Sequence, residues 1–119
     1  MTTKPWADPL VARYAIVIDG WAMGTVGMSW RDGGEPEVFY ALKSAGRGRG
    51  AATGSVRLLT NWLFDHGFSA VALETVAGNT ASEKVAERAG FRPADSYLGS
   101  QGGEPVQVNR WLRHSAPLV

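Results

Sequence analysis

The run EVFYALKSAGRGRGAATGSVRLLTNWLFD, residues 37–65, changes character twice. Glu37 to Leu42, with Val38, Phe39 and Tyr40, has the β-branched and aromatic texture of a strand. Ser44 to Gly50 is small and basic. After it, Ala52, Val56, Leu59 and Leu63 recur at helical spacing, joined on one flank by Leu58 and Trp62. Arg57, Asn61 and Asp65 fall on the other side, and Gly67 supplies a C-terminal stop. The run therefore reads as strand, Gly/Arg loop, helix.

That order has chemical meaning. A glycine-rich loop can bring its backbone N–H groups close to a ligand, because no Cβ blocks the approach. The following helix adds unsatisfied N-terminal N–H groups and the positive end of its dipole. Arg47 and Arg49 add charge. Each charge–dipole contact contributes only about 0.3–1 kcal/mol when exposed, so several donors must converge to make a phosphate or pyrophosphate site. A plain strand-to-helix turn with solvated arginines accounts for the same residues. A Walker loop does not fit, because Gly50 is followed by Ala51-Ala52 instead of Lys-Ser/Thr. Gly48, Gly50 and then Thr53 also miss the Gly-x-Gly-x-x-Gly dinucleotide spacing. Gly46 to Gly50 resembles an RNA-binding Arg-Gly segment, but its place between strand and helix argues against that.

Working outward, Tyr14 to Asp19 is a short strand ending at Asp19-Gly20, the favoured hairpin dipeptide. Trp21 to Trp30 is the return strand, thinned on one face by Gly24 and Gly27. Downstream, Ser69 to Val76 alternates as a strand. Thr80-Ala81-Ser82-Glu83 has the capping-box pattern and opens a helix with Ala81, Val85 and Ala89 on one face. Gly90 closes it, and Phe91 can pack back on it. Asp95 to Gly99 and Pro105 to Arg113 are two further strands around a turn-rich Ser100 to Glu104. The order β-β-β-loop-α-β-α-β-β predicts a mixed sheet with helices on it, in the α/β or α+β range.

Composition bounds the function. The 119 residues suffice for one domain, 1–119, with residues 1–13 as an irregular lead-in. The net charge of +1 gives no general pull toward nucleic acid or anionic membrane. No apolar run is long enough to span a bilayer, and Met1 to Asp8 lacks a secretory apolar stretch. There is no cysteine, so disulfides and thiol catalysis are excluded. His66 and His114 are too few and too scattered for a histidine metal site. A cytoplasmic location and no metal are expected.

The loop resembles the acetyl-CoA pyrophosphate motif of the GNAT N-acetyltransferases, Gln/Arg-x-x-Gly-x-Gly/Ala, matched by Arg47, Gly50 and Ala52. The wider string Arg47 to Thr53 is similar to the RimJ/RimL-type subgroup of ribosomal-protein N-terminal acetyltransferases. That subgroup also carries Asn-x-x-Ser before a helix ending in Gly-Phe. Asn79-Thr80-Ala81-Ser82 and Val85 to Phe91 match it in order, and the likeness covers about Tyr14 to Arg113. The resemblance implies a GNAT-like acyl-CoA N-acyltransferase fold, with acetyl-CoA as co-substrate and a primary amine as acceptor. Strands Glu37–Leu42 and Ser69–Val76 would splay around the pantetheine arm. Backbone groups of Ala41, Leu42 and Lys43, next to Tyr40, would pair with that arm. Amides of Arg47, Gly48, Arg49, Gly50, Ala51, Ala52 and Thr53 would hold the pyrophosphate. Asn79 would bond the pantetheine region or the splayed backbone, Ser82 would sit near the thiol, and Lys84 would reach the adenosine phosphates. Asn79 equally suits a helix cap, Ser82 a local hydrogen bond, and Lys84 a solvated face.

Transfer requires a neutral amine, so some group must accept a proton, directly or through water. A donor for the developing oxyanion is also needed, often a backbone N–H where the sheet splays. Glu37, Glu74 and Glu104 are the candidate bases, and Tyr40 and Tyr97 the candidate acids. The chain departs from the family pattern in two places. Ser44-Ala45 replaces the usual Pro-Glu, and little sequence precedes Tyr14. Most of the family's first strand and first helices are therefore expected to be missing. One sheet edge would then be exposed, which predicts a homodimer or a fragment of a longer chain. An open site suits a peptide N-terminus or a bulky amine. A CoA-binding module without catalysis, and a nucleotide- or RNA-binding domain, are the alternative readings.

Overall fold

The computed structural model describes residues 10–30, 33–48 and 50–116. Six strands form one sheet: β1 (Leu10–Ile18), β2 (Trp21–Trp30), β3 (Glu37–Leu42), β4 (Ala70–Val76), β5 (Arg92–Gln101) and β6 (Glu104–His114). Their order across the sheet is β1-β2-β3-β4-β6-β5. Only β3 and β4 run parallel, and the other neighbours are antiparallel. Two helices, α1 (Ala51–Asp65) and α2 (Thr80–Arg88), complete the expected α+β arrangement.

The hairpin at Asp19-Gly20 forms where the dipeptide predicts, and β2 and β3 have the expected bounds. β1 begins at Leu10, so residues 10–13, expected to be irregular, are strand. Leu10–Arg13 already pair with Gly27–Trp30, while residues 1–9 lie outside the described residues. β5 and β6 also outrun their expected lengths.

The core lies between one face of the sheet and the two helices. Val26, Met28, Val38, Val71, Leu73 and Trp111 of the sheet form one buried cluster with Val56, Leu59 and Leu63 of α1 and with Ala86, Ala89 and Phe91 at α2. The buried Trp111 indole donates to Thr75 Oγ1 at 2.9 Å, so its N–H is satisfied inside the core. Phe91 packs back as expected, its N–H bonding the Ala86 carbonyl. The apolar face of α2 is displaced from its expected line: Ala86 and Ala89 are buried, whereas Ala81 is exposed. Leu58 (75% exposed) and Trp62 (48%) do not join the core either. They border an apolar hollow of about 360 Å³ with Tyr14 of the edge strand β1 and Val26 of β2. Among the described residues, no helix is long and apolar enough to cross a membrane.

Gly27 explains its own identity. A Cβ there would lie 2.6 Å from a Phe39 ring carbon and overlap the Ala12 carbonyl. Gly27→Ala is predicted to destabilise the fold by about 1–3 kcal/mol, the usual range for overpacking. Urea unfolding of the variant against the parent checks this.

Candidate active site

The parallel pairing of β3 and β4 lasts two residues, Glu37↔Ala72 and Val38↔Leu73. Just before it, the Ala72 N–H donates to the Pro36 carbonyl at 2.9 Å. Beyond it the strands part. A cleft of about 530 Å³ opens there, with Tyr40, Ala41 and Leu42 on one wall and Ala81, Ser82 and Val85 of α2 on the other.

The loop after β3 closes one end of the cleft. Ser44–Gly46 forms a 3₁₀ turn where an open loop was expected. Gly46 is buried within this turn; a Cβ there would come 2.9 Å from Met23 Cβ. Lys43, expected to offer its backbone to a ligand, is taken up by the fold: its N–H donates to the Met23 carbonyl and its own carbonyl accepts from Gly46. It is not part of the cleft lining. Gly48 (φ 77°) and Gly50 (φ 72°) both adopt left-handed backbone, which side chains disfavour. Gly50 is the N-cap of α1; its carbonyl accepts from the Gly54 N–H, and it has no side chain to cap the amides behind it. Ala51, Ala52 and Thr53, whose N–H groups have no partner within the helix, line the cleft with Gly48 and Gly50. Arg49, expected beside them, lies outside the described residues.

Among the described residues, three cations border the cleft, Arg47, Lys84 and Arg88, and no carboxylate does. Arg88 was not anticipated. Its signal was its position four residues after Lys84, which puts both on one helix face. The first turn of α1 also lacks acidic residues. The site is thus built for an anion.

Asn79 is the N-cap of α2; its Oδ1 accepts from the Ser82 N–H at 3.2 Å, while Glu83 donates to its carbonyl. The capping box expected from Thr80 to Glu83 does not form: the N-cap is Asn79, also a candidate cap from sequence, which puts Ser82 and not Glu83 at the third helical position. Ser82 and Asn79 both line the cleft.

The opposite face of the sheet, at the same level, carries acid. Directly opposed strand residues share a face, so Glu37, Ala72, Glu74 and Arg110 stand together. Arg110 Nη1 lies 3.6 Å from Glu37 Oε1 and 3.9 Å from Glu74 Oε2, and its Nη2 lies 3.4 Å from Glu35 Oε2. Tyr97 donates its hydroxyl to Glu74 Oε1 at 2.9 Å. Burial pushes the Glu37 carboxyl above the ordinary carboxylate value; nearby Glu74 adds to this, and Arg110 partly offsets it. The hydrogen bond to Glu74 raises Tyr97, with desolvation and the charges of Glu74 and Glu37 adding, against Arg110. Glu104 is not part of this group. It opens β6 and lies six residues from Arg110, about 20 Å along an extended strand. Tyr40 sits on the cleft wall, away from these acids. Among the described residues, no cluster of three or more His, Asp or Glu suits a metal ion.

Residues 2–92 match the family model for the acetyltransferase (GNAT) domain. The chain belongs to the GNAT acetyltransferase family. Solved structures of similar fold include RimL, the ribosomal L7/L12 alpha-N-protein acetyltransferase in complex with coenzyme A. It is 19% identical with a TM-score of 0.79, over 87% of this chain and 62% of that one. The microcin C7 self-immunity acetyltransferase MccE, in complex with acetyl-CoA and AMP, is 18% identical (TM-score 0.80; 88% and 61% covered). The ribosomal-protein-S5-alanine acetyltransferase of Vibrio fischeri is 20% identical (TM-score 0.73; 81% and 56% covered). The chain therefore spans less than two thirds of the length of these structures. No curated protein matches the sequence as a relative.

In GNAT terms, the sheet splays between the two strands expected to part, and the motif loop and the Asn79–Ser82 turn border one cleft. The carboxylates stand on the sheet face that α1 and α2 leave uncovered. The burial of Glu37 has a thermodynamic signature. A carboxyl raised in the folded state contributes stability that is complete below its ordinary value of 4.5 and is lost as pH rises through the raised value. Glu37→Gln has no such titration. Its Tm relative to the parent is predicted to climb as pH rises from about 4 to about 8, across the carboxylate range. A variant that instead falls progressively behind would show that ionised Glu37 stabilises this domain.

Proposed function

We propose that this GNAT domain binds acetyl-CoA in the cleft and acetylates a primary amine, either a peptide N-terminus or a small-molecule amine. The observation that carries the reading is the composition of the cleft. Among the described residues, the first residues of α1, two left-handed glycines and three cations line it, and no acid does. That donor set fits a diphosphate with further phosphate charge. The leading amides of α1, with Gly48, Gly50 and Arg47, would hold the diphosphate, and Lys84 and Arg88 the outer phosphate. The edge of β3 at Ala41–Leu42, unpaired on that side, would bond the pantetheine arm. When bound, acetyl-CoA supplies an acyl carbon activated by its thioester.

The chain's own residues manage the proton. An amine attacks only when neutral, and the raised carboxyl of Glu37 makes it the better proton acceptor, directly or through one water. Glu74, bonded by Tyr97, stands beside it. Ser82, which lines the cleft, would donate its hydroxyl to the departing sulfur. Glu104, far along β6, is left with no role in this scheme. RimL and the Vibrio fischeri enzyme are described as acting on ribosomal proteins, which favours peptide N-termini as the first acceptors to try. We further propose a single cytoplasmic domain that pairs with a second copy through β1, whose outer side has no strand partner among the described residues.

Acetyl-CoA at a hundredfold excess over its Kd is predicted to stabilise the protein by about 2.7 kcal/mol, read by thermal shift and calorimetry. Arg47→Ala combined with Gly50→Glu removes a cation and fills the bend with a carboxylate, and is expected to abolish that shift. Free-thiol release with peptides beginning in serine or alanine, and with small primary amines, reads transfer. Glu37→Gln should lower kcat/KM by about 10²–10⁴-fold, the usual contribution of a general base. Binding without thiol release would leave a CoA-binding module. No binding at all would sink the proposal.

A further inference from the structure

Arg110 carries no signal in the sequence, yet it is the common partner of Glu35, Glu37 and Glu74. Its Nη1 sits between Glu37 of β3 and Glu74 of β4, while Nη2 reaches Glu35 in the turn before β3. The guanidinium is planar and permanently charged, so it can serve several carboxylates from one fixed plane. We propose that Arg110 is a positioning residue for acetyl transfer, holding Glu37 and Glu74 apart around one cation at the point where β3 and β4 separate. The inference rests on the reading of Glu37 as proton acceptor.

The surroundings leave few substitutes for this cation. Glu35, Glu74, Tyr97 and Arg110 surround Glu37 from the turn, β4, β5 and β6, and Asp95 opposes Arg110 across the β5–β6 pair. On β2 the residue opposite Glu37 is Ser29, which is uncharged. On the outer strands, Arg13 lies over the Phe39 ring at 5.5 Å, and Arg92 stands opposite Leu112 at the far edge, three strands from Glu37. Without Arg110, two carboxylates on adjacent strands would face each other with no charge between them. Such pairs tend to share one proton, which takes one member out of use as a base. Burial and Glu74 already push Glu37 up, and Arg110 is the influence that opposes them. The bond from Tyr97 to Glu74 Oε1 leaves Oε2 for the guanidinium, so the arrangement also fixes which carboxylate oxygens are free.

The test compares Arg110→Met and Arg110→Lys with the parent, after a thermal melt confirms folding. The readout is the pH profile of kcat/KM for transfer from acetyl-CoA to a peptide with an N-terminal serine. In Arg110→Met the acidic limb should move up by about one pH unit, the low end of what one nearby cation does to a carboxylate. That is about a tenfold loss below the limb, with the high-pH plateau nearly retained. Arg110→Lys should recover most of the shift. A limb that stays in place while the plateau falls equally in both variants would make Arg110 merely structural and overturn the inference. Should Arg110→Met not fold, a parent-like limb in Arg110→Gln has the same meaning. If the parent itself transfers nothing, the transferase reading fails, but Arg110 can still be judged. The Glu37 carboxyl, identified in ¹³C NMR by its loss in Glu37→Gln, should titrate higher in Arg110→Met, and an unchanged midpoint overturns the proposal.

Discussion

The architecture of the site follows from a parallel register that stops after two residues. Each of the two strands is held by its outer neighbour. The end of β3 is drawn toward β2 by the Lys43–Met23 bond and by Gly46 packed on Met23. β4 stays paired with β6 through Val76↔Val108. Neither can follow the other, so the strands diverge and backbone groups are left facing a gap. Buried main-chain donors and acceptors need partners. A gap of this kind is therefore a site for something extended and polar, with an anion hole at its wide end. The same divergence places Glu37 and Glu74 at the narrow end.

Local signals made much of this legible. β2 and β3 carry β-branched and aromatic residues between clear turns, and α1 keeps its apolar spacing from Ala52 to Leu63. The loop could be read as an anion site because every contributor lies within a few residues of every other. β5 was read short because it is an edge strand with almost every side chain exposed. Arg92-Pro93-Ala94-Asp95 has no alternation to betray it, and pairing with β6 alone makes it a strand. The first residues of β1 were missed for a similar reason, since they sit just after Pro9 on the other edge.

The carboxylate group is a different case. Glu35, Glu37, Glu74, Tyr97 and Arg110 come from four segments spread over most of the chain. Their meeting depends on strand register, and a shift of one residue would send each to the other face. Sequence could name Glu37, Glu74 and Tyr97 as candidates one at a time. It could not show that they share an arginine, nor that Glu104 lies far along the same strand. Asn79 and Thr80 are both competent caps for α2 on sequence alone, and the fold takes Asn79.

Helix α1 packs on β2, β3 and β4 and touches α2, so it clasps together two half-sheets that share little hydrogen bonding of their own. Its positive end is also where the cleft gathers its donors. An anion seated there would pull on the clasp itself. In native-state hydrogen exchange, the two half-sheets of the empty protein would open as separate cooperative units. With the cleft filled they would exchange as one.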